Sequence, residues 1–145
     1  MKRSIIFGCI SSVVGFSVGY YFRGLDGNLP ILSGISAFIG SSLMWLLIVD
    51  RPNNWSEDRG VVAGVSGAIV AHYLNSYISL LIANYGYWIL GKQIGSLPGP
   101  PMDPLFGILA MLFYMLLSLL IIGWFTIPVG ALIGVVYVKT FSPVR

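Results

Sequence analysis

An all-α membrane protein with four transmembrane helices, the last kinked near Pro128, is the fold this sequence predicts. Three observations predict it. Residues 4–22, 27–49, 60–91 and 104–138 contain no Asp, Glu, Lys or Arg, and a helix needs an apolar run of ~20 residues to cross ~30 Å of hydrocarbon. Charged residues are only 9% of the chain, against ~25% in soluble domains, too few to cover a water-facing surface. The basic residues are also placed unevenly about the four runs, which gives them an orientation.

The 145 residues suit a single bundle over 1–145 and leave no room for a second, soluble domain. The first helix is expected at 4–22. Lys2 and Arg3 precede it, and Tyr20, Tyr21 and Phe22 close it as an interfacial aromatic belt would. A basic start before an apolar run also resembles a signal peptide, with Ser17-Val18-Gly19 as a conceivable cleavage site; the reading adopted is a retained helix. A tight turn at 24–28 leads to the second helix at 30–49. Asn28 is its expected N-cap, Pro30 lies in its first turn, and Trp45 marks its far end.

The stretch 50–60 is the most polar part of the chain. Ser56, followed by Glu57 and Asp58, makes a good helix start, because a hydroxyl caps a free N–H and acids favour the positive end of the helix dipole. The third helix is expected at 57–90. The Gly- and Pro-rich stretch 91–103 is expected to be irregular. Asp103-Pro104 then repeats the cap-and-proline start for a fourth helix at 105–138. A straight helix of that length would be ~51 Å long, more than a bilayer core accommodates. Pro128 cannot donate to the carbonyl of Trp124, so a kink is expected there. Too few apolar residues follow for a fifth crossing, and 129–138 is expected to lie at the interface or against another subunit.

With the N-terminus cytoplasmic, the inner segments carry Lys2, Arg3, Arg51, Arg59, Lys139 and Arg145, and the outer ones only Arg23 and Lys92. Both termini are therefore expected on the cytoplasmic side. Five crossings would even out the two sides, so the charge rule selects four.

Small residues four apart let helices approach closely in a bilayer, where packing rather than the hydrophobic effect drives association. Ser11, Gly15 and Gly19 form such a stripe on the first helix. Gly60, Gly64 and Ala68 form one on the third, with Ala63, Gly67 and Ala71 beside it. Ser36 and Gly40 pair on the second helix, and Gly130 and Gly134 on the fourth. The stripes fit packing within one chain or between copies. The paired stripes make the third helix the expected centre of the bundle. The bulky stretch 105–122 suits a lipid-facing or loosely packed helix.

His72, Asn75, Ser76 and Ser79 share one face of the third helix. His72 is the chain's only histidine. Polar groups at mid-membrane are costly and mark candidate sites, so these four are the candidate polar path or interhelical network.

The scattered basic residues give no nucleic-acid signature. One cysteine, Cys9, and one histidine are too few ligands for a metal centre, and no cofactor motif is present. The runs hold no carboxylate pair for acid–base catalysis. The Asn54-Trp55-Ser56 sequon falls on the expected cytoplasmic side. The expected partners are the lipid bilayer and either further copies or another membrane protein. The sequence thus favours a non-enzymatic membrane protein acting through helix–helix contacts, as an accessory, assembly or immunity-type subunit. The alternative is a homo-oligomeric channel or transporter with a path along the third helix. An intramembrane enzyme, with His72 as base and a serine of another helix within reach, is the third possibility.

Overall fold

The computed structural model describes residues 2–22, 28–91 and 102–142, and within them it is helical with no strand. α1 covers Lys2–Phe22 and α2 covers Leu29–Trp45, continued by a π turn over Leu46–Asp50. α3 is Glu57–Leu90, α4 is Pro104–Ser118, a second π turn is Leu119–Gly123, and α5 is Trp124–Phe141. Four helical stretches, Lys2–Phe22, Leu29–Asp50, Glu57–Leu90 and Leu105–Phe141, are long and apolar enough to cross a membrane. The expected turn at 24–28, the irregular stretch at 91–103, and Arg23, Lys92 and Arg145 lie wholly or mostly outside the described residues.

The helix starts follow their local chemistry in two cases of three. The Ser56 hydroxyl accepts from Arg59 N at 3.3 Å. Asp103 Oδ1 accepts from Leu105 N at 2.8 Å and Phe106 N at 3.1 Å. Asn28, expected to cap α2, makes no side-chain capping bond: its backbone is already helical there, which turns the side chain away from the first N–H groups. At the far end of α3, Gly91 takes φ +60° and its N–H returns to Gly86 O, the left-handed stop that glycine adopts without strain.

α3 is the middle helix, and its two small-residue stripes face different neighbours. Gly60 and Gly64 lie against Gly134 and Gly130 of α5, and a β-carbon on Gly60 would come within 2.6 Å of Gly134 O. Gly67 lies against Ser41 of α2, and a β-carbon on Gly40 would stand 3.0 Å from Gly67 O. The first separation is too short for any β-carbon and the second is tight enough that the neighbour would have to give way, so glycine is what lets these backbones meet this closely. On α1, a β-carbon at Gly15 would reach within 2.6 Å of Ala37 and one at Gly19 within 2.8 Å of Pro30, so the first two helices close on each other the same way.

The segment 129–138, expected at the interface or against another subunit, packs within the chain as a continuation of the fourth helical stretch. It is the body of α5, docked on α3 through Gly130 and Gly134, with Tyr137 and Val138 buried. The helical path is unbroken through Pro128, and the extra residue of a π turn sits just upstream. Short apolar length argued against an independent crossing but says nothing against a helix continued from α4.

The core lies at the end where α1 and α3 begin and α2 and α5 finish. Phe7, Trp45, Val49, Ala63, Tyr137 and Val138 form it. Trp45 is fully buried rather than a belt residue; its ring centroid is 4.2 Å from Phe7 and 4.9 Å from Tyr137. Tyr137 Oη donates to Arg3 O at 2.8 Å, the Arg3 guanidinium lies 4.7 Å over the Trp55 ring, and Arg59 Nη1 donates to Ile48 O at 2.8 Å. The last bond satisfies a carbonyl at the α2 terminus, where the helix leaves carbonyls unpaired.

At the opposite end α3 and α4 are tied by the buried Asn84. Its amide donates to Met102 O at 2.6 Å and accepts from Met102 N at 3.2 Å. Because Ser33 of α2 stands beside Asn75 of α3, α2 begins near the level of residue 79, and α3 runs about ten residues, ~15 Å, further.

Gly64→Leu should abolish the α3–α5 approach and cost at least ~3 kcal/mol, the upper range of overpacking, whereas Val13→Leu on the exposed face of α1 should be neutral. Reversible unfolding in mixed micelles measures both.

Candidate functional site

α1 and α5 touch through Phe7, Arg3 and Tyr137, and away from that end a cleft separates them. It has a volume of about 170 Å³ and is lined by four helical stretches. Its floor is made of small side chains, among them Gly15 and Gly19 of α1, Ala37 of α2, and Ala68 and Ala71 of α3. Ser11, the third member of the α1 stripe, also lines it. No Asp, Glu, Lys or Arg is among the described lining residues.

The polar part of the lining centres on His72. Its Nδ1 is 2.7 Å from Ser118 Oγ and its Nε2 is 2.8 Å from Thr126 Oγ1. The Thr126 hydroxyl also reaches Ile122 O at 3.4 Å. One proton assignment satisfies the whole chain: Thr126 donates to Ile122 O and accepts from Nε2–H, and Ser118 donates to Nδ1. His72 is then a neutral bridge between the two ends of the second π turn.

The π turn explains how both hydroxyls reach one ring. Ser118 and Thr126 are eight residues apart, which in a regular helix separates them by about 80° around the axis. A π bulge inserts one residue. They then stand as residues seven apart would, about 20° from alignment. Sequence periodicity alone could not single them out, because the bulge shifts the register between them.

Of the four residues on the α3 polar face, two reach across and two do not. Asn75 Oδ1 accepts from Ser33 Oγ of α2 at 3.4 Å. Ser76 returns its hydroxyl to His72 O at 3.2 Å and Ser79 returns its own to Asn75 O at 2.8 Å. Such bonds satisfy a serine inside its own helix. His72 and Asn75 line the cleft, while Ser76 and Ser79 are not among its lining residues. No group of three His, Cys, Asp or Glu that could hold a metal ion occurs among the described residues.

Ser118 and His72 have the separation of a nucleophile and its base. Among the described residues no carboxylate lines the cleft beside this pair. The third group on the imidazole is a threonine hydroxyl, which orients the ring but supplies no charge to balance an imidazolium. With no carboxylate in the lining, proton transfer from Ser118 would leave an unbalanced pair of charges in apolar surroundings, where each costs several kcal/mol. The arrangement is chemically suited to holding α3 against the α4–α5 junction.

A double-mutant cycle between His72→Ala and Thr126→Ala, read by unfolding in micelles, should give a coupling of ~0.6 kcal/mol and below ~2 kcal/mol, the range of interhelical polar contacts. The chain matches no protein-family model, no curated protein and no solved structure.

Proposed function

We propose that this chain is an integral membrane protein with four crossings and both termini in the cytoplasm, and that it works without catalysis as an accessory, assembly or immunity-type subunit that contacts another membrane protein. The helix lengths support insertion. Lys2, Arg3, Arg51, Arg59 and Lys139 all fall at helix ends on the Trp45 side of the bundle, as the positive-inside rule asks of cytoplasmic ends. In this reading the long α4–α5 helix bends near Pro128, where the Trp124 carbonyl has lost its donor.

One observation carries the assignment of a contact role. α3 and α4 continue past the α1–α2 hairpin, and the surface they present there is apolar and aromatic: Tyr85, Trp88, Ile89, Leu105 and Phe106 are all more than half exposed. At ~51 Å, α3 outruns a ~30 Å hydrocarbon core. An upright bundle would hold this tip beyond the hydrocarbon, where so much apolar surface calls for a protein cover. Another membrane protein with a matching apolar face supplies that cover.

A conducting path along α3 has less support. Both ring nitrogens of His72 are engaged within the chain, and Ser76 and Ser79 bond back to their own helix.

A photo-crosslinking residue at Trp88 or Phe106 should trap one partner of discrete mass in native membranes, and the same residue at Val13 should not. Adducts of this chain with itself would assign the tip to homo-oligomerisation, and adducts with lipid alone would overturn the contact role. In parallel, a fluorophosphonate probe should leave Ser118 unmodified; labelling lost in both Ser118→Ala and His72→Ala would make the protein a hydrolase.

A further inference from the structure

We propose that the cleft between α1 and α5 holds one acyl chain of a glycerolipid, with the ester carbonyl accepting a hydrogen bond from Asn75 Nδ2. The proposal rests on the helices lying in a bilayer; it does not depend on the partner at the α3–α4 tip.

Shape is the first ground. The α1 residues along the cleft run from Phe7 to Phe22, a helical rise of ~22 Å. A volume of about 170 Å³, little more than the ~150 Å³ of a cavity that takes one benzene, admits a short stretch of one hydrocarbon chain and leaves the rest of it along the open side. A partner helix, ~10 Å across or more, does not enter it. The glycine and alanine floor gives the slot a smooth wall, which suits a chain and offers no knobs for an interdigitating helix.

Charge is the second ground. Among the described residues the lining carries no basic or acidic side chain, so neither a phosphate nor an ammonium group would be compensated by them. An acyl chain and its ester are the uncharged part of a glycerolipid, and the headgroup stays outside.

Depth and hydrogen bonding are the third. Asn75 bonds Ser33, one turn from Leu29, the first residue of α2. In a bilayer this level lies just inside one interface, where ester carbonyls sit, and the cleft leads from it toward Phe7 and the bundle interior. Asn75 lines the cleft and its Oδ1 accepts from Ser33 Oγ, which leaves its Nδ2 as the group that could donate to a bound ester. In hydrocarbon no water is at hand for an amide N–H, so an acceptor placed there is favourable, and both nitrogens of His72 are already engaged.

The test uses the full chain in phosphatidylcholine vesicles doped with a phosphatidylcholine that carries a diazirine on one acyl chain. Adducts mapped by mass spectrometry should fall on Val14, Val18 and Val129 as well as on Leu109 and Phe113, exposed residues of α4 that report bulk lipid. Val14→Trp and Val129→Phe, which fill the slot from opposite walls, should each lower the cleft-to-α4 adduct ratio about fivefold, and Asn75→Leu should lower it about threefold. The proposal is overturned if α4 is labelled but the cleft is not, or if neither filling variant changes the ratio while both keep the parent gel-filtration profile. Absence of adducts on α4 as well would overturn the bilayer reading, and this proposal with it.

Discussion

The rest of the structure depends on how closely α3 approaches the backbones on its two sides. Gly60 and Gly64 admit α5, and Gly67 with Gly40 admits α2. In an apolar solvent little is gained by hiding one leucine behind another, so helices hold together where their surfaces fit and where polar groups meet. Close approach supplies the fit. It also brings His72 and Asn75 within hydrogen-bonding reach of Ser118, Thr126 and Ser33. Were the helices kept a side chain apart, both polar links would break together.

The two ends of the bundle are closed differently. At the Trp45 end the aromatic core, the Tyr137–Arg3 bond and the Arg59–Ile48 bond join elements that are far apart in sequence. At the other end the Asn84 clamp fixes the start of α4 on α3, and α1 and α2 take no part in it. All four helical stretches are fastened together at one end, whereas at the other they are fastened as two separate pairs, α1 with α2 through Gly19 and Pro30 and α3 with α4 through Asn84, which leaves the cleft between α1 and α5 open. The chain thus combines a firmly packed floor with an unfilled lateral opening.

Much of the fold was legible in the sequence because the signals were long and redundant. Charge-free runs located the helices to within a few residues, and paired stripes on 60–71 placed α3 at the centre. Ser56 and Asp103 were readable as caps because a single side chain decides the outcome there. Trp45 was not readable as core, since a tryptophan near a helix end has the same local sequence whether it faces lipid headgroups or a neighbouring helix. Only the arrival of Phe7 and Tyr137, from opposite ends of the chain, distinguishes the two. The candidate site was half legible. His72 and Asn75 stood out as polar groups in apolar runs. Ser118 and Thr126 did not, because their alignment depends on a π turn that no residue in 119–123 announces. Ser76 and Ser79 shared the polar face yet spend their hydroxyls on their own helix, a competition that face-sharing cannot reveal.

The π turn between α4 and α5 also sets two kinds of tolerance apart. Leu120 and Ile121 within it are largely exposed, so their identities are free to drift among apolar residues. Its length is not free. Every residue from Trp124 onward takes its angular position from the number of residues in that turn, and losing one would rotate Gly130 and Gly134 by about 100°, off the face that meets α3. Natural relatives of this chain should therefore vary in sequence across 119–123 while keeping the spacing from Ser118 to Gly130 constant, and a gap there would signal a different bundle.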